Sequence, residues 1–482
     1  MKILTHGSVL GLMLLAIAVA LAWDTTPHPF AYLLVHVAMT ALIILFLNRI
    51  ARAGNILIAV YVVVVLMFSI FCAYILTVMD RVVAEPMFEF AVFTFDSVKR
   101  ALLLNDFAFG IAMLIYGFHP RILLRSRLFS YDEFRETARR LSGRAIFYPL
   151  GLCLCWTIIL LVFILTPNVL QFPYPENYLQ PRNISSLLRA ALVLVPFLFS
   201  IIRFVHDEYR ITFGGVLFRA TTYVAVFAIG LMCGSRGPMV GILIGMLFLD
   251  AAYCRSAFHW KSLSILVGLA YLIFAVINWP DMRTSISAIG FIPAFTASFV
   301  NYGNILLLGS GSNAVFLSDF PMLGQSLFHF LYTIALVDSG QSLHYQTFLN
   351  LIPQQLPEIL DGILWTRPIN DNWLLADHFR HGGGFYSYAN AYWNGGVVAL
   401  GLFSGLLALI IARIEIFFKR LPIIFLAAYF VFLLLVPIGL YYGIQGLLRG
   451  IEDGFAAYLA IYIAAGCWKM RQTRSSLAAP RT

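Results

Sequence analysis

Between Asn55 and Met79 the chain reads NILIAVYVVVVLMFSIFCAYILTVM, 25 residues without a charge. At 1.5 Å per residue such a run, if helical, crosses the roughly 30 Å of bilayer hydrocarbon. It has no period of two, so it does not read as a strand of a membrane β-barrel. Working outward, similar runs recur. With a window of roughly 19 residues, about twelve apolar spans are found, at 7–23, 30–48, 55–79, 102–118, 146–167, 187–206, 216–234, 238–254, 262–279, 388–412, 421–442 and 450–468.

Composition agrees. The 482 residues are 61% hydrophobic and 11% charged, whereas a soluble domain carries about 25% charged residues. So few charges cannot clothe a water-exposed surface, and so many aliphatic and aromatic residues do not stay disordered. The reading is an all-α polytopic membrane protein. The six cysteines lie in or beside apolar runs without metal-site or disulfide spacing, and read as small buried hydrophobes.

Charge placement sets the expected orientation. With the N-terminus in the cytoplasm, 22 of the 32 Lys and Arg residues fall inside, seven of them between Arg121 and Arg144. This is the positive-inside pattern. The net charge of +9 therefore faces cytoplasmic lipid and is not a nucleic-acid footprint. The expected organisation is helices one to nine over 1–279, a long periplasmic loop over 280–387, helices ten to twelve over 388–468, and a basic cytoplasmic tail over 469–482. A structureless loop of about 100 residues is unusual, so this one reads as a functional element. Its weaker apolar stretches, Ile286–Val300 and Leu323–Val337, read as interfacial or re-entrant helices.

Two clusters could carry chemistry. Arg236 stands in Gly234-Ser235-Arg236-Gly237-Pro238, between two closely spaced spans. Glycine allows close backbone approach and Pro238 suits a helix start, so a guanidinium here can hold a diphosphate. The second cluster closes the long loop. Asp377 and His381 fall at i,i+4 on a short helix that Gly382–Gly384 ends, the spacing of a carboxylate orienting a general base. Tyr386, Tyr392 and Trp393 follow at the start of the next span, as sugar platforms or as an interfacial aromatic belt. Further outward cations are Arg283, Arg367, Arg380 and Arg449. There is no Asp-x-Asp, and Gly309-Ser310-Gly311-Ser312 lacks the lysine of a phosphate loop. Among ionisable residues, Asp106 stands out as deep within a span.

At these residues the sequence resembles the Wzy-type O-antigen and repeat-unit polymerases, and more distantly the O-antigen ligases. The likeness rests on the Gly-Ser-Arg236-Gly turn, the single late outer loop, the His381-Gly-Gly-Gly-Phe…Tyr392…Gly395-Gly396 lead into a span, and Arg449-Gly450, within roughly 216–468. Where the ligases carry His followed by Asn, His381 is followed by Gly382. The resemblance implies a GT-C-like, metal-independent glycosyltransferase of the bacterial inner membrane, with no cofactor and a periplasmic site. Its partners would be undecaprenyl-diphosphate-linked oligosaccharides, with a chain-length regulator and a flippase alongside. Arg236 would bind the diphosphate with Arg283, Arg367, Arg380 or Arg449, and His381 with Asp377 would take the acceptor proton. A lipid-linked oligosaccharide transporter and a membrane scaffold are the readings outside this class. A transporter is expected to hold ionisable groups deep within its spans.

Overall fold

In the computed structural model, the residues described are 2–23, 28–52, 55–79, 82–83, 93–118, 315–316, 323–346 and 385–418, most of 425–441, and scattered positions elsewhere. They form α1 (Lys2–Trp23), α2 (Pro29–Arg52), α3 (Ile56–Thr77), α4 (Phe95–Gly117), α5 (Leu323–Asp338), α6 (Ser387–Phe418) and α7 (Leu426–Tyr441). The helical expectation holds, apart from one short parallel pairing. There β1 (Val82–Val83) lies beside β2 (Val315–Phe316), tying the segment after α3 to the late loop. Two of the described helices, Ile56–Thr77 and Ser387–Phe418, are long and apolar enough to cross a membrane.

Helices α3 to α6 run in alternating directions. One end of the bundle, here called the rim, carries the close of α3, the start of α4, the close of α5 and the start of α6. Arg100 near the start of α4 bonds Asp338 at the end of α5 and Tyr392 in the second turn of α6. At the other end Ile58, in the first turn of α3, meets Glu415 near the end of α6. α3 lies at the centre and is buried along almost its whole length. α1 packs chiefly on α4, and α2 chiefly on α3. The opposite faces of α1 and α2 stay bare, with Leu12, Val19, Phe30 and Val37 each more than half exposed.

Small residues set the closest crossings, as the repeated small-xxx-small pattern suggests. A Cβ at Gly11 would sit 2.7 Å from the backbone N of Leu114 and 2.9 Å from the carbonyl O of Gly110, so α1 and α4 touch backbone to backbone. Gly401 and Gly405 give α6 its seat on Phe107 and Ile115 of α4.

Helix starts follow local chemistry. Thr94 and Ser97 cap α4 reciprocally, with Ser97 N–H donating to Thr94 Oγ1 at 3.1 Å and Thr94 N–H to Ser97 Oγ at 3.0 Å. The helix therefore begins ahead of the apolar run at 102. The Leu323–Val337 stretch forms α5, mostly buried and packed on α4 and α6.

α6 is broken at Gly395–Gly396. Gly396 has φ 63° and ψ −149°, a conformation open to glycine and strained for other residues. The break leaves the carbonyls of Trp393 and Asn394 without helical partners. The segment after α5 supplies them: Leu343 N–H donates to Trp393 O at 3.0 Å, and Tyr345 N–H to Asn394 O at 2.8 Å. The Tyr345 ring lies over Gly395, where any Cβ would collide with it. The half-helix from Ser387 to Asn394 is thus wholly buried. Beyond the break Val398 and Leu402 are about two-thirds exposed.

Candidate functional site

The start of α6 is the point where the sequence-based site enters the described structure. Asp377, His381, Arg236, Arg283, Arg367, Arg380 and Arg449 lie outside the described residues. Tyr386, Tyr392 and Trp393 lie within them, all three buried. Their position is internal, not on a lipid-facing aromatic belt. Tyr386 stacks on Phe68 at 4.5 Å and donates its hydroxyl to Asn105 Oδ1 at 2.7 Å. Trp393 donates Nε1–H to the carbonyl of Gln341 at 2.8 Å. The sugar-stacking expectation thus falls on rings already packed inside the protein.

Sequence reasoning did not single out the cation that holds this platform. Arg100 donates through Nη1 to Asp338 Oδ2 at 2.6 Å and through Nη2 to the Tyr392 hydroxyl at 2.8 Å. Its side chain is 43% exposed, so the guanidinium is fixed yet open to the rim. Partial burial works against its charge, but the hydrogen bonds it donates to Asp338 and Tyr392, with the charge of Asp338, together outweigh this and hold Arg100 above the ordinary arginine range. A signal for it existed in Thr94-x-x-Ser97, which starts a helix just ahead of Lys99-Arg100. What the sequence lacked was any link to Asp338 and Tyr392, 238 and 292 positions away.

A guanidinium split between an exposed carboxylate and a buried phenol has unequal arms. Exposed ion pairs contribute about 0–1 kcal/mol. A buried hydroxyl that loses its partner costs about 1–3 kcal/mol. Arg100→Ala is therefore expected to destabilise the protein by about 1–2 kcal/mol, and Asp338→Asn by under about 1 kcal/mol. Thermal unfolding of the purified protein in detergent checks this. Equal losses for the two variants would mean that the Tyr392 bond contributes nothing.

Below this platform a polar chain runs into the bundle. Tyr386 donates to Asn105, Asn105 Nδ2–H to Ser69 Oγ at 2.8 Å, and Ser69 O–H to Asp106 Oδ1 at 2.7 Å. Asp106 Oδ2 meets His36 Nε2 at 2.7 Å. Every member is buried, and the donors all point toward the carboxylate. Beside it the hydroxyls of Tyr61 and Tyr388 bond each other. At the far end of the bundle Glu415 is fully buried too. The transporter-like feature first assigned to Asp106 alone therefore extends to His36 and Glu415. Partners far apart in the chain make these burials tolerable, and a hydropathy window cannot see them.

Among the described residues no group of three His, Cys, Asp or Glu side chains could hold a metal ion. Cys72 is buried in α3, as its apolar setting suggested. The fold and site define a helical protein with membrane-length apolar helices and a polar, cation-rimmed end. Comparison with protein-family models, with curated proteins and with solved structures finds no match to this chain.

Proposed function

We propose that this chain is a repeat-unit polymerase of a bacterial inner membrane, with about twelve spans, both termini cytoplasmic and its site on the periplasmic face. It transfers a growing glycan from undecaprenyl diphosphate to a sugar hydroxyl of a second lipid-linked repeat. The observation that supports this best is the anchoring of the α6 start. Phe385 and the half-helix after it are buried and held by Asn105, Arg100 and Gln341. The His381-Gly-Gly-Gly lead joins a rigid mount at Phe385, the kind of support a positioned base requires.

The chemistry follows from the leaving group. A diphosphate departs readily if the charge growing on it is neutralised, which Arg236 with another outward arginine supplies. His381, oriented by Asp377, takes the acceptor proton. Direct displacement inverts the anomeric centre. The buried His36–Asp106 pair favours one other reading, a lipid-linked oligosaccharide transporter, because ionisable groups within spans mark ion pathways.

Deleting the gene and resolving the surface glycan on a gel separates these. Polymerisation predicts that the ladder collapses to one repeat on its acceptor and that the wild-type gene restores it. Long polymer retained on the carrier lipid would make the protein a ligase. Loss of all glycan from the outer face would make it an exporter and overturn the proposal.

A further inference from the structure

The hydrogen-bond partners of His36 limit where its protons can sit. Nδ1 lies 2.7 Å from the carbonyl oxygen of Tyr32. A carbonyl only accepts, so Nδ1 carries a hydrogen. On the other side Nε2 lies 2.7 Å from Asp106 Oδ2. A contact that short between a ring nitrogen and a carboxyl oxygen needs a proton in it. Either an imidazolium donates to a carboxylate, or a carboxylic acid donates to a neutral ring. Both arrangements hold one proton in the link, and both leave the pair with no net charge.

Removing that proton leaves a nitrogen lone pair facing a carboxylate at hydrogen-bond distance. The site then carries one net negative charge in an apolar interior, with Nε2 and Oδ2 repelling each other. Ser69 O–H still serves Oδ1, but among the described residues no other donor serves Oδ2. The contact relaxes by parting, since a shift of the ring proton to Nε2 would only move the clash to Nδ1 and the Tyr32 carbonyl. Asp106 lies on α4 roughly 16 Å below the rim, at 1.5 Å per residue from Phe95. This is near mid-depth for a span, where ionisable groups are costly unless used. α2 packs chiefly on α3, and it reaches α4 through this bond and through Lys99, whose ammonium lies 5.9 Å above the Tyr32 ring.

We propose that His36 and Asp106 form a one-proton binding site, and that release of this proton to water separates α2 from α4. The bound ligand is the proton itself. Its loss takes the pair from neutral to a single negative charge and reverses on acidification. The Asp106 carboxylate also ends the donor chain from Tyr386, so the start of α6 senses the same event. The titratable groups facing the carboxylate are Cys72 from α3 and Tyr386 from α6. Lys99 faces Tyr32, and among its described residues α1, which packs on α4, buries apolar side chains, Leu10, Leu14 and Ala18. The site does not depend on whether the rim transfers sugars.

The test is infrared difference spectroscopy of the full-length protein in lipid nanodiscs, between mildly acidic and alkaline buffer. Wild type is expected to lose one proton per chain with linked imidazole and carboxyl bands. Asp106→Asn is expected to lose that transition while remaining folded, because its amide N–H can donate to a neutral Nε2 at every pH. Cys72→Ala should keep the transition. Spin labels at Phe30→Cys and Asp96→Cys, both exposed positions near the rim, with the native cysteines replaced by alanine, report the helix separation. It should widen by several ångströms at alkaline pH in wild type and stay closed in Asp106→Asn. A transition that persists in Asp106→Asn, one that vanishes in Cys72→Ala, or a wild type with neither proton loss nor widening would overturn the proposal.

Discussion

Glu415→Ala is expected to destabilise the protein by about 3 kcal/mol or more, from the loss of an acceptor for two buried donors at about 1–3 kcal/mol each plus the cavity left behind. Glu415 Oε1 accepts from the backbone N–H of Ile58 at 2.9 Å, and Oε2 accepts from the Tyr116 hydroxyl at 2.7 Å. Ile58 lies in the first turn of α3, where N–H groups have no helical partner. Asn55, the residue preceding α3, gives no side-chain cap. The cap instead comes from other helices: the Tyr429 hydroxyl accepts from Leu57 N–H at 3.1 Å, and Glu415 accepts from Ile58. A carboxylate there also meets the positive end of the α3 dipole. Glu415→Gln keeps the shape and one acceptor oxygen, and its amide can donate to the Tyr116 oxygen. It should cost about 1 kcal/mol, the scale of one ordinary hydrogen bond. Thermal unfolding in detergent decides the matter. If the Ala variant melts with the wild type, the cap contributes nothing; if Gln and Ala fall together, the charge matters more than the acceptors.

This residue shows where the sequence is legible and where it is not. The α3 span was readable to within two residues at each end, because 25 uncharged residues admit no competing pattern. α6 runs six residues past the expected end at 412. Hydropathy stops at Arg413 and Glu415, but the helix does not. Glu415 counts in the sequence as a charge beyond a span, and only the fold reveals it as a buried cap. His36 is similar. A lone histidine in an apolar run has no visible partner, and Asp106 is 70 positions away. Patterns of period 3.6 report which face of a helix is apolar. They do not report which polar side chains meet across helices. Arg100 with Tyr392, and Asn105 with Tyr386, were beyond that kind of reading for the same reason. The glycines did better. Gly395-Gly396 stands in the motif that leads into α6, and Gly401 and Gly405 show the four-residue spacing of a close helix crossing, and both have local consequences in the structure.

The two ends of the bundle differ in a way that bears on the proposed reaction. The far end is held by Glu415, a fixed acceptor in a dry setting. The rim is held by Arg100, whose bonds reach both buried and exposed partners. A site that binds a lipid-linked diphosphate needs cations that are ordered but not enclosed, and the rim has that character. On the proposed function the α6 start serves as a mount, with Tyr386 and Trp393 as its pins.

Arg236→Ala is accordingly expected to abolish the glycan ladder when it replaces the wild-type gene in the deletion strain. A charge-stabilising donor in a glycosyl-transfer site is worth about 3–4 kcal/mol at the transition state, or roughly 10²–10³ in rate. A cell that assembles polymer at such a reduced rate ends its chains at one or a few repeats. Arg236→Lys keeps the charge but loses the two-pronged donor geometry that fits a phosphate. It should restore short chains only. Arg283, Arg367, Arg380 and Arg449 serve as comparisons. If any of them shares the diphosphate, its Ala variant shortens the ladder less than Arg236→Ala, because one fixed cation remains. Immunoblotting of membranes separates lost activity from lost protein. A wild-type ladder from Arg236→Ala at normal protein level would remove Arg236 from the reaction. Since the resemblance rests first on the Gly-Ser-Arg236-Gly turn, the polymerase proposal would then lose its strongest residue. Collapse with Ala and partial recovery with Lys would instead place a guanidinium-specific contact at the leaving group, and an exporter that only moved intact lipid-linked repeats would not grade chain length in that way.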